Sequence, residues 1–261
     1  MEYIVWNADP VLFSWGPISV RWYGLFFAVG FFQGFMILNW MFRREGRPVE
    51  DLDDLFLYLF TGVLVGARLG HCLFYDPQFY LSHPLEIFKI WKGGLASHGG
   101  AVGVLLTGYF YPKRHKGYTM LWLLDRGALG LAIVSCLIRI GNLFNSEIIG
   151  LETTVPWAFI FERVDFLPRH PVQLYEALSY LGIAGVMLYG YLNWVNRMKD
   201  GFLIGVFMIL MFSARFVLEM FKTRQAAYGM DNYLSVGQWL SIPFFVAGLI
   251  LIYRGYRGRR V

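Results

Sequence analysis

The chain has 261 residues, 57% of them apolar and 16% charged, whereas a soluble domain usually has about 45–50% and about 25%. With 19% aromatic residues demanding burial, the collagen-like, low-complexity and disordered classes are excluded along with an ordinary soluble enzyme. What remains is an all-α polytopic membrane protein, in which a formal charge of +5 reports cytoplasmic loops and not contacts with nucleic acid.

Residues 1–17 lack a basic segment ahead of their apolar residues and are broken by Pro10 and Pro17, so they read as an interfacial arm and not as a cleaved signal peptide. Its tryptophans suit the membrane surface. Apolar runs of roughly the 17–25 residues needed to cross a bilayer follow at about 18–40, 52–74, 94–111, 119–144, 171–195, 201–221 and 235–253, which predicts seven transmembrane helices. Tyr23 opens the first. Asp51, Asp53 and Asp54 lie around the start of the second, where the helix dipole favours acids, and GARLG (66–70) near its end carries Arg68 ahead of the packing residues His71 and Cys72. In the third, GGLASHGG (93–100) sets His98 among small residues that permit close approach. The fourth begins with Asp125 and Arg126, read as a structural pair or interface anchors, contains Cys136 as a core residue, and ends in RIGNLFNSE (139–147). Residues 145–170 are the one sizeable extramembrane stretch and predict a small external head; no second domain is expected within 1–261. RHPVQLYE (169–176) starts the fifth span at Pro171, an allowed first-turn position, with Gln173 and Glu176 on neighbouring turns.

Basic residues alternate between the connections. Arg43, Arg44, Arg47, Lys113, Arg114, Lys116, Arg197, Lys199, Arg254, Arg257, Arg259 and Arg260 mark the cytoplasmic side, against the sparser Lys89, Lys92, Arg163, Arg169, Lys222 and Arg224 opposite. The N-terminus is therefore expected outside and the C-terminus in the cytoplasm.

Ionisable residues inside spans each cost several kcal/mol unless paired or hydrated, so they mark function. At ~1.5 Å per residue, Arg68 lies ~24 Å beyond Leu52 and Arg139 ~28 Å beyond Met120. Both reach the outer leaflet. Arg215 and Glu219 lie ~20 and ~26 Å beyond Phe202 and share one helix face at i, i+4. His98, Glu176 and Tyr23 enter at matching depth from the outer side. One arginine at a helix end can simply snorkel toward phosphates, but polar groups from six helices converging on one layer point to a site.

Arginines in an apolar layer suit a phosphate, because the planar guanidinium donates paired hydrogen bonds and stays charged when dehydrated. In the outer leaflet the abundant phosphates are lipid headgroups. The sequence has no HExxH and no GxSxG, and no acidic cluster with metal-ligand spacing, so a phospholipid-directed transfer without metal or cofactor is the enzymatic reading. Its rival is a transporter or flippase for an anionic lipid or solute. That reading calls for matching polar residues toward the inner leaflet, and beyond Asp125 and Arg126 few are present.

Taken together, GGLASHGG, RIGNLFNSEIIG, LPRHPVQLYE and ARFVLEMFK, with RWYGLFF (21–27) and GARLG before them, resemble in order and spacing the segments of the bacterial prolipoprotein diacylglyceryl transferases over about residues 9–254. The resemblance implies an enzyme of the bacterial inner membrane that moves the diacylglyceryl group of phosphatidylglycerol onto the lipobox cysteine of a preprolipoprotein signal peptide, forming a thioether and releasing glycerol 1-phosphate. Membrane lipids and that peptide are the implied partners. The family pattern maps onto Tyr23, His98, Arg139, Asn142, Glu147, Gly150, Arg215 and Glu219, with Arg68 in the matching GARLG segment. It implies Arg139 and Arg215 on the phosphate, Tyr23, Asn142, Gly150, Glu219 and Arg68 in substrate binding, and His98 as the base that ionises the thiol. Glu147, or a thiol acidified by the arginines, stands as an alternative base. Three positions depart from the pattern: Asn145-Ser146 where Asn-Gly is common, Lys222 where arginine is frequent, and Met211 where tyrosine is frequent.

Overall fold

The computed structural model describes residues 3–16, 18–90, 93–94, 96–223 and 234–258. Lys92, Arg224, Arg259 and Arg260 of the predicted charge pattern lie outside them. The chain folds as two compact units, one of Met1–Ile37 with Asp125–Val261 and the other of Leu38–Leu124. About 70% of it is helix.

Each predicted span is a helix: α1 (Trp22–Arg44), α2 (Val49–Phe74), α4 (Ser97–Arg114), α5 (Met120–Phe144), α6 (Val172–Trp194), α7 (Phe202–Leu218) and α8 (Val236–Arg257), with a short α3 (Pro77–Ser82) after α2. Among the described residues five helices are long and apolar enough to cross a membrane: α1, α2, α5, α7 with its following turn, and α8. The chain is a helical membrane protein on that ground. The other two long helices have a local reason to be more polar. Helix α4 opens with His98 and closes with Lys113 and Arg114, and α6 carries Gln173 and Glu176, both fully buried, in its first turns.

In the first unit, β1 (Ile4–Trp6), β4 (Phe159–Phe161) and β5 (Pro168–Arg169) form a sheet of order β1-β4-β5. Strand β1 runs parallel to β4 with Ile4 opposite Phe159, and β5 is antiparallel with Arg169 opposite Phe159. Leu143, Phe159 and Phe161 make the core, with Trp6, Ile149 and Leu174 packed on it, and the Trp6 indole donates to the Leu143 carbonyl at 2.9 Å. Thus Trp6 is built into the head, whereas Trp15, at the end of the β2–β3 hairpin (Val11–Trp15, Ile18–Arg21), is 82% exposed and free to meet an interface. Helix α7 begins at left-handed Gly201, and the Asp125 carboxylate accepts the backbone N–H groups of Gly201 and Ile204, both at 2.8 Å. Arg126 faces Asp200 at 3.8 Å. Both residues therefore engage the start of α7.

In the second unit, α2 and α4 lie backbone to backbone. A Cβ on Gly99 would strike the Gly66 carbonyl, and one on Gly103 the Gly62 carbonyl, the close approach that small residues allow between membrane helices. At the other end of this pair Asp51 accepts from the Tyr118 hydroxyl at 2.7 Å and contacts His115 at 3.3 Å. Both cysteines are buried free thiols.

Candidate functional site

The site residues of the first unit gather where α5, the turn after it, α6 and the end of α7 meet. Arg139 and Asn142 sit one turn apart on α5, and the Arg139 guanidinium donates to Asn142 Oδ1 at 3.2 Å. Asn142 passes the contact on: its amide donates to Glu147 Oε2 at 3.3 Å, while Asn145 donates to Glu147 Oε1 at 2.6 Å. This loop-back is possible because the chain reverses at Ser146 (φ 53°) and Ile148 (φ 56°), two left-handed residues separated by Glu147. Ser146 thus holds a backbone conformation that favours glycine. Gln173, fully buried, donates to the Glu147 carbonyl at 2.7 Å and ties the turn to α6.

Gly150 continues the path. A Cβ there would overlap the His170 carbonyl, so its absence lets the 149–151 strand lie against 168–170 on one side. On the other side Leu151 donates to the Phe221 carbonyl at 2.8 Å, and Thr223 to Ile149 at 3.2 Å. These bonds place Lys222 opposite Gly150. They also carry the Lys222 ammonium to Glu176 Oε1 at 2.8 Å and Glu219 Oε2 at 3.3 Å.

Glu176 is the hub. Its side chain is 0% exposed, Tyr180 donates to Oε1 at 3.3 Å, and Arg139 Nε lies 3.1 Å from Oε2 but without hydrogen-bond alignment, so both atoms remain unsatisfied donors and acceptors. The buried Asn145 Oδ1, Ser146 Oγ and Gln173 Oε1 are unsatisfied too. Such atoms are few in folded proteins, and their concentration around one turn marks a polar network that can exchange partners. Tyr23 enters from α1 across Gly141, whose missing side chain leaves room for the ring. Gly237 of α8 does the same for the Glu219 carboxylate.

Arg215 lies one turn before Glu219 on α7, half-buried. Among the described residues no hydrogen bond or ion pair engages the Arg215 guanidinium. As far as the described residues go, the planar donors of Arg215 are open to an anion.

Arg68 and His98 belong to the second unit. His98 is exposed in the first turn of α4. Arg68 is 4% exposed, and its N–H groups go to backbone carbonyls of the α2–α4 connection. His71 stacks on Tyr75 at 5.4 Å, as a packing residue does.

The structure therefore joins Arg139, Asn142, Glu147, Glu176, Lys222 and Glu219 in one network, with Gly150 opposite Lys222, Tyr23 packed on Gly141 and Arg215 one turn before Glu219. Sequence reasoning gave no role to Lys222 and Tyr180 and placed Glu176 only by depth. The signals were local: Tyr180 stands four residues after Glu176, and Lys222 three after Glu219. Among the described residues no three His, Cys, Asp or Glu side chains gather as a metal-ion site.

The family profile described as prolipoprotein diacylglyceryl transferase matches residues 10–254. Similar proteins include the phosphatidylglycerol–prolipoprotein diacylglyceryl transferase of Chloroherpeton thalassium, 52% identical over 98% of this chain and 96% of that protein. The protein of the same name from Tolumonas auensis is 53% identical over 95% and 96%. That of Bacteroides fragilis is 41% identical over 96% and 94%. Agreement over nearly the whole chain establishes that this chain belongs to the prolipoprotein diacylglyceryl transferase family.

Proposed function

We propose that the protein transfers the sn-1,2-diacylglyceryl group from phosphatidylglycerol to the lipobox cysteine of a preprolipoprotein, the first step of lipoprotein maturation. The single observation that carries the site assignment is the Arg215 guanidinium, without a hydrogen bond or ion pair among the described residues, one turn before Glu219, whose partner Lys222 also holds Glu176 beside Arg139. The thiolate sulfur attacks the glycerol carbon that bears the phosphate ester. A C–S bond forms, the C–O bond breaks, and its electron pair leaves on the phosphate oxygen of glycerol 1-phosphate. Arg139 and Arg215 bind the phosphate and stabilise the charge that grows on the leaving oxygen. The thiol proton goes to His98, whose imidazole is exposed in the first turn of α4. It then passes to solvent. Glu147, with both oxygens already accepting amide N–H groups, serves as the strut that orients Asn142. Tyr23, Gly150 and Glu219 shape the lipid pocket.

The same reading includes seven transmembrane helices in one membrane-embedded domain of the bacterial inner membrane. The N-terminal arm (1–17) and the head (145–170) lie outside and the C-terminus in the cytoplasm. The alternating basic connections support it. The transporter alternative finds no support: Asp125 and Arg126, its candidate inner-leaflet groups, are engaged in holding the start of α7 and Asp200. Phosphatidylglycerol labelled in its headgroup tests the choice. A transferase releases labelled glycerol 1-phosphate in step with added lipobox peptide; label that stays in lipid while crossing the bilayer would favour transport.

A further inference from the structure

Arg68 presents a guanidinium with five N–H donors, and five backbone carbonyls accept them. Nε donates to Ile87 at 2.8 Å, one terminal nitrogen to Gly93 at 2.6 Å and Gly94 at 3.1 Å, and the other to Glu86 at 2.6 Å and Lys89 at 3.4 Å. Its plane also meets the Tyr80 ring at 5.1 Å. A guanidinium so engaged has no N–H left for a phosphate. Arg68 is 4% exposed, so its donors are spent on those carbonyls and not on solvent.

The carbonyls it gathers belong to the chain that enters α4, and α4 is pinned to α2 immediately afterwards. Ala96 donates to the Ala67 carbonyl at 2.9 Å, next to Arg68 itself. Gly99 sits against the backbone of Gly66 and Gly70. Gly94, left-handed at φ 74°, has no space for a side chain between the His71 ring and the Arg68 guanidinium. His98 lies between the Ala96 and Gly99 anchors. Its backbone position is therefore set by α2 through one arginine, one backbone hydrogen bond and one glycine contact.

We propose that Arg68 is a positioning residue: it clasps the α2–α4 connection and thereby fixes where His98 presents its imidazole, and it does not bind the lipid phosphate. The proposal rests on the reading of His98 as the group that accepts the thiol proton. Lipid affinity separates the two roles, because Arg68→Lys keeps the charge but loses the five-donor fork that the clasp needs. The clasp predicts that Arg68→Lys and Arg68→Gln both lower kcat at least tenfold while the Kd for phosphatidylglycerol in vesicles stays within twofold. It further predicts that adding Arg68→Lys to His98→Gln lowers the rate little more, since the residue it positions is gone. A phosphate ligand would behave otherwise: Arg68→Lys and Arg68→Gln would both weaken phosphatidylglycerol binding, Arg68→Gln by tenfold or more, and that result overturns the proposal. Backbone hydrogen exchange gives a readout independent of His98. Exchange at 86–90 should rise at least tenfold in Arg68→Lys while the amides in the middle of α2 keep their rates; unchanged exchange at 86–90 removes the clasp. If exchange rises but His98→Gln has wild-type turnover, the clasp stands and the base assignment of His98 falls.

Discussion

Glu176 and Lys222 face each other at 2.8 Å with side chains 0% and 9% exposed, an ion pair joining the second turn of α6 to the segment after α7. Removing one partner of a buried pair strands the other, at a cost of roughly 3–5 kcal/mol. Here the stranded groups are two, because Arg139 approaches the second oxygen of the same carboxylate.

Glu176→Gln is accordingly expected to destabilise the protein and depress transfer, as the amide cannot offset both cations. Lys222→Met alone should also destabilise. The double variant should be milder than the sum of the singles by about 1–3 kcal/mol, which thermal unfolding of the four proteins in detergent measures. Strict additivity would mean the two side chains do not act together.

Ser146→Gly is expected to stabilise. Left-handed backbone costs a non-glycine residue about 1–2 kcal/mol, glycine's extra unfolded-state freedom returns about 0.5–1 kcal/mol of that, and the buried Ser146 hydroxyl loses no partner. A net gain of about 0.5–1 kcal/mol in unfolding free energy follows, with activity retained; a loss would show that the hydroxyl is needed.

The head should lose stability on acidification in two steps. The Arg169 guanidinium, hydrogen-bonded to Asp165 at 2.7 Å, holds that carboxyl below its ordinary range, and burial lowers the His170 imidazole. Both groups are depressed in the folded state. Each therefore contributes stability above its unfolded pKa, about 6.5 for histidine and about 3.9 for aspartate, and loses it as the pH falls through the folded value. Protease resistance of the 145–170 segment should be flat from pH 8 to 7, decline first below about 6.5 and again below about 4. His170→Gln should remove the first decline and Asp165→Asn the second. Resistance that rises in acid would contradict the assignment.

The helices were legible because apolar runs of spanning length have few alternatives, and every predicted run is a helix. The Arg139–Asn142–Glu147 relay was legible too, since its members lie within nine residues and one turn joins them. The Glu176–Lys222 pair spans 46 positions and has no local pattern to announce it. The partners of Arg68 are carbonyls, which every residue carries, so side-chain reading sees an arginine at lipid depth and places it in substrate binding. The parallel pairing of β1 with β4 joins Ile4 to Phe159, a contact that three-residue strands cannot signal in sequence.

The central claim is that Arg139 and the open Arg215 hold a lipid phosphate while a thiolate displaces it. The direct measurement is the mass of a lipobox peptide after incubation with purified protein and phosphatidylglycerol. The account predicts a diacylglyceryl adduct on the cysteine with the native protein, and loss of most of it with Arg215→Lys at matched folding, because an ammonium cannot supply the planar pair of donors. An unmodified peptide with the native protein, or native-level adduct with Arg215→Lys, would contradict it.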